Sequence, residues 1–260
     1  MRRAALAACL FLGFASRLLA QTADPPVATG TDFLTCYDFH LSANALAIDD
    51  PRFTWDVHFG GDLDVIDYVK GRLTGVADYE AILGNEFRAF DPNQSYYLLE
   101  VSSSYRFRCV EVAGMFHHVS RHLGDREKRE SIAWNVLGAK AMGQTTIAGL
   151  SIDGHVEAGG VVEHAFVDYT WTSDIDVTVR RRLNTRAGLF AHGVGTFYGV
   201  DGTVSGRSTQ RGGLFEGGLR FEGRGAVLEI FAGVERRIDA DPLEQVPQTW
   251  GLAGFRLLNR

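Results

Sequence analysis

The chain has 260 residues, 45% of them hydrophobic and 22% charged, with 30 glycines and a net charge of −6. That acidic balance excludes a broad nucleic-acid contact, which needs a basic face to displace counterions from phosphates. The length suits one large domain, and the patterned hydrophobicity excludes a disordered tail.

Residues 1–20 read as a removable secretion signal. Arg2 and Arg3 precede an apolar stretch over 4–15, and Leu18-Leu19-Ala20 offers a small-residue cleavage site before Gln21. The segment is too short to span a bilayer as a helix, and nothing after Gln21 supplies 18 uncharged apolar residues. A mature chain that crosses a membrane must therefore do so as a closed β-barrel. The expected location is the bacterial outer membrane, with the periplasm as the alternative. Residues 21–31, with Pro25-Pro26, read as an exposed leader, and 32–260 as the barrel domain. After cleavage Cys36 and Cys109 remain and could form one bridge.

Strand-like alternation then begins. Phe53, Trp55, Val57 and Phe59 share one parity, expected to face outward, against Thr54, Asp56 and His58. Downstream, Ile175, Val177, Val179 and Leu183 oppose Asp176, Thr178, Arg180 and Arg182. Phe215, Leu219 and Phe221 oppose Glu216, Arg220 and Glu222; Leu228, Ile230, Ala232 and Val234 oppose Glu229, Glu235 and Arg237; Phe255 and Leu257 oppose Arg256. This predicts a polar interior of Asp176, Arg180, Arg182, Arg220, Glu222, Glu229, Glu235, Arg237 and Arg256. Aromatics at ribbon ends, Tyr169, Trp171, Tyr198 and Trp250, suit a membrane-interface belt. Alternation alone also fits a soluble sandwich; the signal, the ribbon number and these aromatics favour a closed antiparallel barrel of about 12–14 strands. Walking back from a periplasmic C-terminus places 199–209 and 238–248 outside the cell and 123–131 on the periplasmic side.

One polar constellation stands out, Phe116-His117-His118-Val119-Ser120-Arg121-His122-Leu123-Gly124-Asp125-Arg126. Period two puts His118, Ser120 and His122 on one face, with His117 and Arg121 on the other. A serine hydroxyl needs a base, and that base needs an orienting acceptor. Ser120 as nucleophile, His118 as base and Asp125 or Glu130 as orienter would make a minimal hydrolase set. His118, His122 and Asp125 could also meet a metal, but no second ligand pair with metal-site spacing accompanies them, so no metal or cofactor is expected. A strand end whose polar groups bond one another, lipid or water accounts for the same residues.

The stretch Phe90-Asp91-Pro92-Asn93-Gln94, then 117–125, then Trp134-Asn135 resembles uncharacterised bacterial outer-membrane proteins carrying a His-x-Ser-x-His-Leu-Gly-Asp segment. His118-Val119-Ser120 is also similar to the His-x-Ser pair of the outer-membrane lipid A 3-O-deacylase, an eight-stranded barrel whose pair faces lipid and works with a downstream glutamate. This chain is longer, has Arg121 where that family has asparagine, and offers Glu127 or Glu130 as the acid. Three functions follow as expectations: a structural or small-solute barrel with a charge-paired interior, a lipid-acting serine hydrolase, or an envelope interaction protein. The expected partner is outer-membrane lipid.

Overall fold

The computed structural model describes residues 30–108, 110–124 and 130–259. The signal, most of the leader, Cys109 and Asp125 lie outside the described residues, and Cys36 is exposed, with no disulfide partner among the described residues. Twelve strands follow in order: β1 (Asp32–Ala47), β2 (Trp55–Asp67), β3 (Arg72–Gly84), β4 (Asp91–Phe107), β5 (Val110–Leu123), β6 (Ile132–Ile147), β7 (Leu150–Ala165), β8 (Tyr169–Arg182), β9 (Ala187–Val200), β10 (Gln210–Glu222), β11 (Ala226–Asp241) and β12 (Val246–Asn259). Each pairs antiparallel with its neighbour in sequence, and β1 pairs with β12 to close the wall. A single helical turn, α1 (Gly202–Ser205), sits between β9 and β10.

Strands of 13 to 17 residues exceed the 9–11 or so that a tilted span needs, so the barrel projects beyond a bilayer. Large apolar side chains line the outside of the wall. Phe215 is 61% exposed, Ile230 49% and Leu137 60%, a continuous greasy wall that a hydrocarbon layer covers. At one end the connections are brief, 68–71, 108–109, 148–149, 183–186 and 223–225. Ala148 and Gly149 both have positive φ, 52° and 78°, as the two-residue hairpin turn requires. At the other end lie 48–54, 85–90, 124–131, 166–168, 201–209 and 242–245, several of them longer. Short turns mark the periplasmic end of such barrels and long loops the outer end.

Twelve strands correct the sequence-based side assignment. An even count puts 124–131 at the same end as 201–209 and 242–245, not opposite them. The interface belt is corrected too. Only Trp171 stands on the outer wall, its indole lying across Gly199, where a Cβ would meet it at 1.9 Å. Tyr169 and Trp250 are buried at 1% and 2%, and Tyr198 packs with Trp134 and Tyr169 in an internal aromatic cluster at the loop end. Phe53 does not continue the β2 ribbon outward. The chain bends before β2, and Phe53 turns inward onto Trp250, ring centroids 5.5 Å apart.

The loop end is fastened over this cluster. Arg207 from the β9–β10 connection donates to Asp239 at 2.6 and 2.8 Å and to Asp168 at 3.2 Å, while Tyr169 Oη donates to Asp239 at 2.6 Å. Arg121 donates to the Asp239 carbonyl at 2.7 Å and to Gln94 at 2.9 Å. At the seam, His40 to Ala47 pair with Leu258 to Gly251, and the Asn259 amide accepts from the Phe39 N–H and donates to the Tyr37 carbonyl.

Candidate functional site

Two groups of polar residues need separate accounts, one inside the wall and one outside. Inside, the predicted charged set lies on the inward parity, in two linked networks. Asp176 and Glu216 take the two ring nitrogens of His192 at 2.9 and 3.0 Å, a geometry that both nitrogens satisfy as donors. Glu216 also accepts from Arg256, and Glu229 accepts from Arg256 at 3.2 Å and Arg220 at 2.7 Å. Arg180 pairs with Asp153, and Arg182 approaches Glu222 at 3.5 Å. In the second network Arg237 reaches Asp56 at 2.8 Å, Glu235 at 2.8 Å and Glu80, with its guanidinium 5.2 Å from the Trp250 ring centre. Asp56, His58 and Glu80 bring possible metal-ligating atoms within 4.8 Å of one another, but Arg237 already supplies positive charge to both carboxylates. A cavity of about 500 Å³ remains in the lumen, bordered by Glu80, Glu100, His117, Glu157, Asp174 and Arg237.

Outside, β5 presents His118, Ser120 and His122 on the outer wall near its loop end, while His117, Val119 and Arg121 are buried inward. Ser120 lies ten residues above Val110, roughly 25 Å along the barrel axis for a tilted strand, which is the height of the apolar band. The site therefore sits at the upper edge of that band.

Pairing across β4, β5 and β6 builds the rest. His118 stands opposite Leu99 and Asn135, and Ser120 opposite Tyr97 and Ala133. The Asn135 Oδ1 lies 2.7 Å from His118 Nδ1. An amide oxygen only accepts, so Nδ1 is the donor in this contact, and in the neutral ring Nε2 is then the acceptor. Ser120 Oγ rests on the other side, 2.9 Å from His122 Nε2, and the His122 ring meets Tyr97 edge-on at 5.4 Å. Beneath the pair, towards the middle of the band, stand Phe116, Val101 and Leu137, all exposed on the outer wall.

Of the residues expected to orient His118, Glu130 is exposed in the connection before β6 and Asp125 is outside the described residues. Asn135 occupies the orienting position. Its signal in the sequence was an amide at outward parity between Ala133 and Leu137, where a bilayer-facing ribbon has no use for one. The Asn135 Nδ2 in turn donates to Glu163 Oε2 at 3.0 Å.

No protein family recognised by sequence matches the chain, and no curated protein matches it. Solved structures do. The Salmonella typhi outer membrane phospholipase, in a dimer with bound calcium, superposes with a TM-score of 0.50 at 13% identity, over 86% of this chain and 90% of that one. OmpT of Vibrio cholerae gives 0.40 at 11% identity, over 88% and 96%. The fold is that of bacterial outer-membrane barrels. In strand number it departs from the eight-stranded deacylase that the His-x-Ser pair resembles.

Proposed function

We propose that this chain is an outer-membrane serine hydrolase that cleaves acyl esters of membrane lipids at the outer end of its barrel. The observation that carries the reading is the outward array of Ser120, His118 and Asn135 at the top of an apolar wall. A nucleophile, a base and an acceptor on the bilayer-facing surface have no use in folding, since polar groups there cost free energy. They serve a substrate whose ester lies at the interface and whose acyl chain runs down over Phe116, Val101 and Leu137. The Salmonella barrel, similar in fold, is named a phospholipase, and that name supports a lipid substrate in this reading.

The chemistry follows from the protonation states. Ser120 turns from His122 to His118, gives its proton to Nε2 and attacks the ester carbonyl, and the imidazolium is held by Asn135 Oδ1. The alcohol leaves with that proton, and water, deprotonated by the same nitrogen, releases the fatty acid. The charged interior is a scaffold in this reading, its ion pairs tying β11 to β2 and β12 to β10 on the inner face of the wall.

The test is labelling of the mature protein in detergent micelles by a fluorophosphonate, alongside fatty-acid release from phospholipid and lipopolysaccharide. Ser120→Ala should abolish both, His118→Ala should nearly abolish both, and His122→Ala should keep most of each. Labelling or release that survives Ser120→Ala refutes the proposal. If His122→Ala is silent and His118→Ala active, the base has been assigned to the wrong histidine.

A further inference from the structure

Glu163 stands at the end of the chain of contacts that runs from His118 through Asn135, and its place there is not the one strand parity gives. Along β7 the inward positions are His155, Glu157 and Gly159, which would carry Glu163 inward as well. The pairing slips between Asn135 and Val136, which face Glu163 and Val161 in turn. Val162 is the extra residue of a β-bulge. Past it the parity reverses, and Glu163 reaches the outer wall opposite Asn135. Bulges of this kind re-aim a side chain beside a site.

Building on the hydrolase reading, we infer that Glu163 is a positioning residue that sets the tautomer of His118 through Asn135. A carboxylate can only accept, so it holds the Nδ2 end of the Asn135 amide, 3.0 Å away. That leaves Oδ1 for His118 Nδ1, 2.7 Å away, which puts the imidazole proton on Nδ1 and the lone pair on Nε2. An amide free to turn over would present Nδ2 to His118 and favour the proton on Nε2, a tautomer that cannot take the Ser120 proton. The carboxylate also places negative charge one amide away from the imidazolium that forms during attack.

The experiment combines kinetics with a spectroscopic readout on the mature protein in micelles. Glu163→Ala and Glu163→Gln should each lower kcat and the fluorophosphonate labelling rate about tenfold, as loss of a charge-assisted hydrogen bond at a partly exposed site does, with KM unchanged. The ¹⁵N shifts of His118 should move from the Nδ1–H pattern towards a mixture. In an Asn135→Asp background the acceptor facing His118 no longer depends on an amide's orientation, so Glu163→Ala should add no further loss. Unchanged kcat in Glu163→Ala, a rise in KM alone, or a His118 tautomer indifferent to the substitution would each overturn the inference. Heat-modifiable migration on gels checks that each variant forms the barrel. If the wild-type chain shows no Ser120-dependent labelling, the hydrolase reading fails by itself, and the ¹⁵N shifts still decide whether Glu163 governs the tautomer.

Discussion

Glu229 gives the interior network its most demanding test, because the carboxylate serves two cations and each cation serves it differently. It is 2% exposed, with one oxygen 2.7 Å from Arg220 and the other 3.2 Å from Arg256. Arg256 has a second acceptor in Glu216, whereas Arg220 has only the distant Glu222, at 3.9 Å. Replacing Arg220 with Met leaves Glu229 held by Arg256. The cost should be about 1.5 kcal/mol, the low end for a charged hydrogen bond, because the arginine is partly wet. Glu229→Gln removes the charge from both arginines at once and should cost about 3 kcal/mol. The double replacement should cost no more than Glu229→Gln alone, a coupling of about 1.5 kcal/mol or more. Equilibrium urea unfolding from lipid vesicles, followed by tryptophan fluorescence, measures all three. Additivity within about 0.3 kcal/mol, or a Glu229→Gln variant as stable as the parent, would refute the network.

On the outer wall, Ile230 lies between Leu228 and Ala232 near the centre of the apolar band, so Ile230→Arg should cost about 2 to 4 kcal/mol in the same unfolding assay. Arg207→Ala should release 201–209, seen as faster amide hydrogen exchange there and little change in β9 or β10. In the β1–β2 connection, the Arg52 hydrogen bond holds the Asp50 carboxyl below its ordinary range. A carboxylate depressed on folding contributes stability above its unfolded value and loses it as the pH falls, so exchange over 48–54, corrected for intrinsic rates, should quicken below about pH 4. Arg52→Met should remove that dependence.

The ribbons were legible because a barrel wall repeats one rule, apolar out and polar in, and Phe215 to Phe221 obey it without interruption. The exceptions fell where the strands rise above the bilayer. There the interior closes with its own apolar core, so Tyr169, Trp250 and Phe53, which read as interface or outward residues, turn in. His118 and Ser120 were placed on one face by period two alone. Asn135 and Glu163 were not linked to them, because their position depends on cross-strand register and on a single bulged residue, and neither is encoded in the local sequence. The misplaced side of 124–131 has the same origin, a strand count off by one.

The seam between β1 and β12 joins the two ends of the strand series. Until β12 docks on β1, with Asn259 bonded to Phe39 and Tyr37, the sheet has two bare edges and no way to satisfy them in a membrane. A chain cut short within β12 should therefore be unable to close its wall, however sound the eleven strands before it.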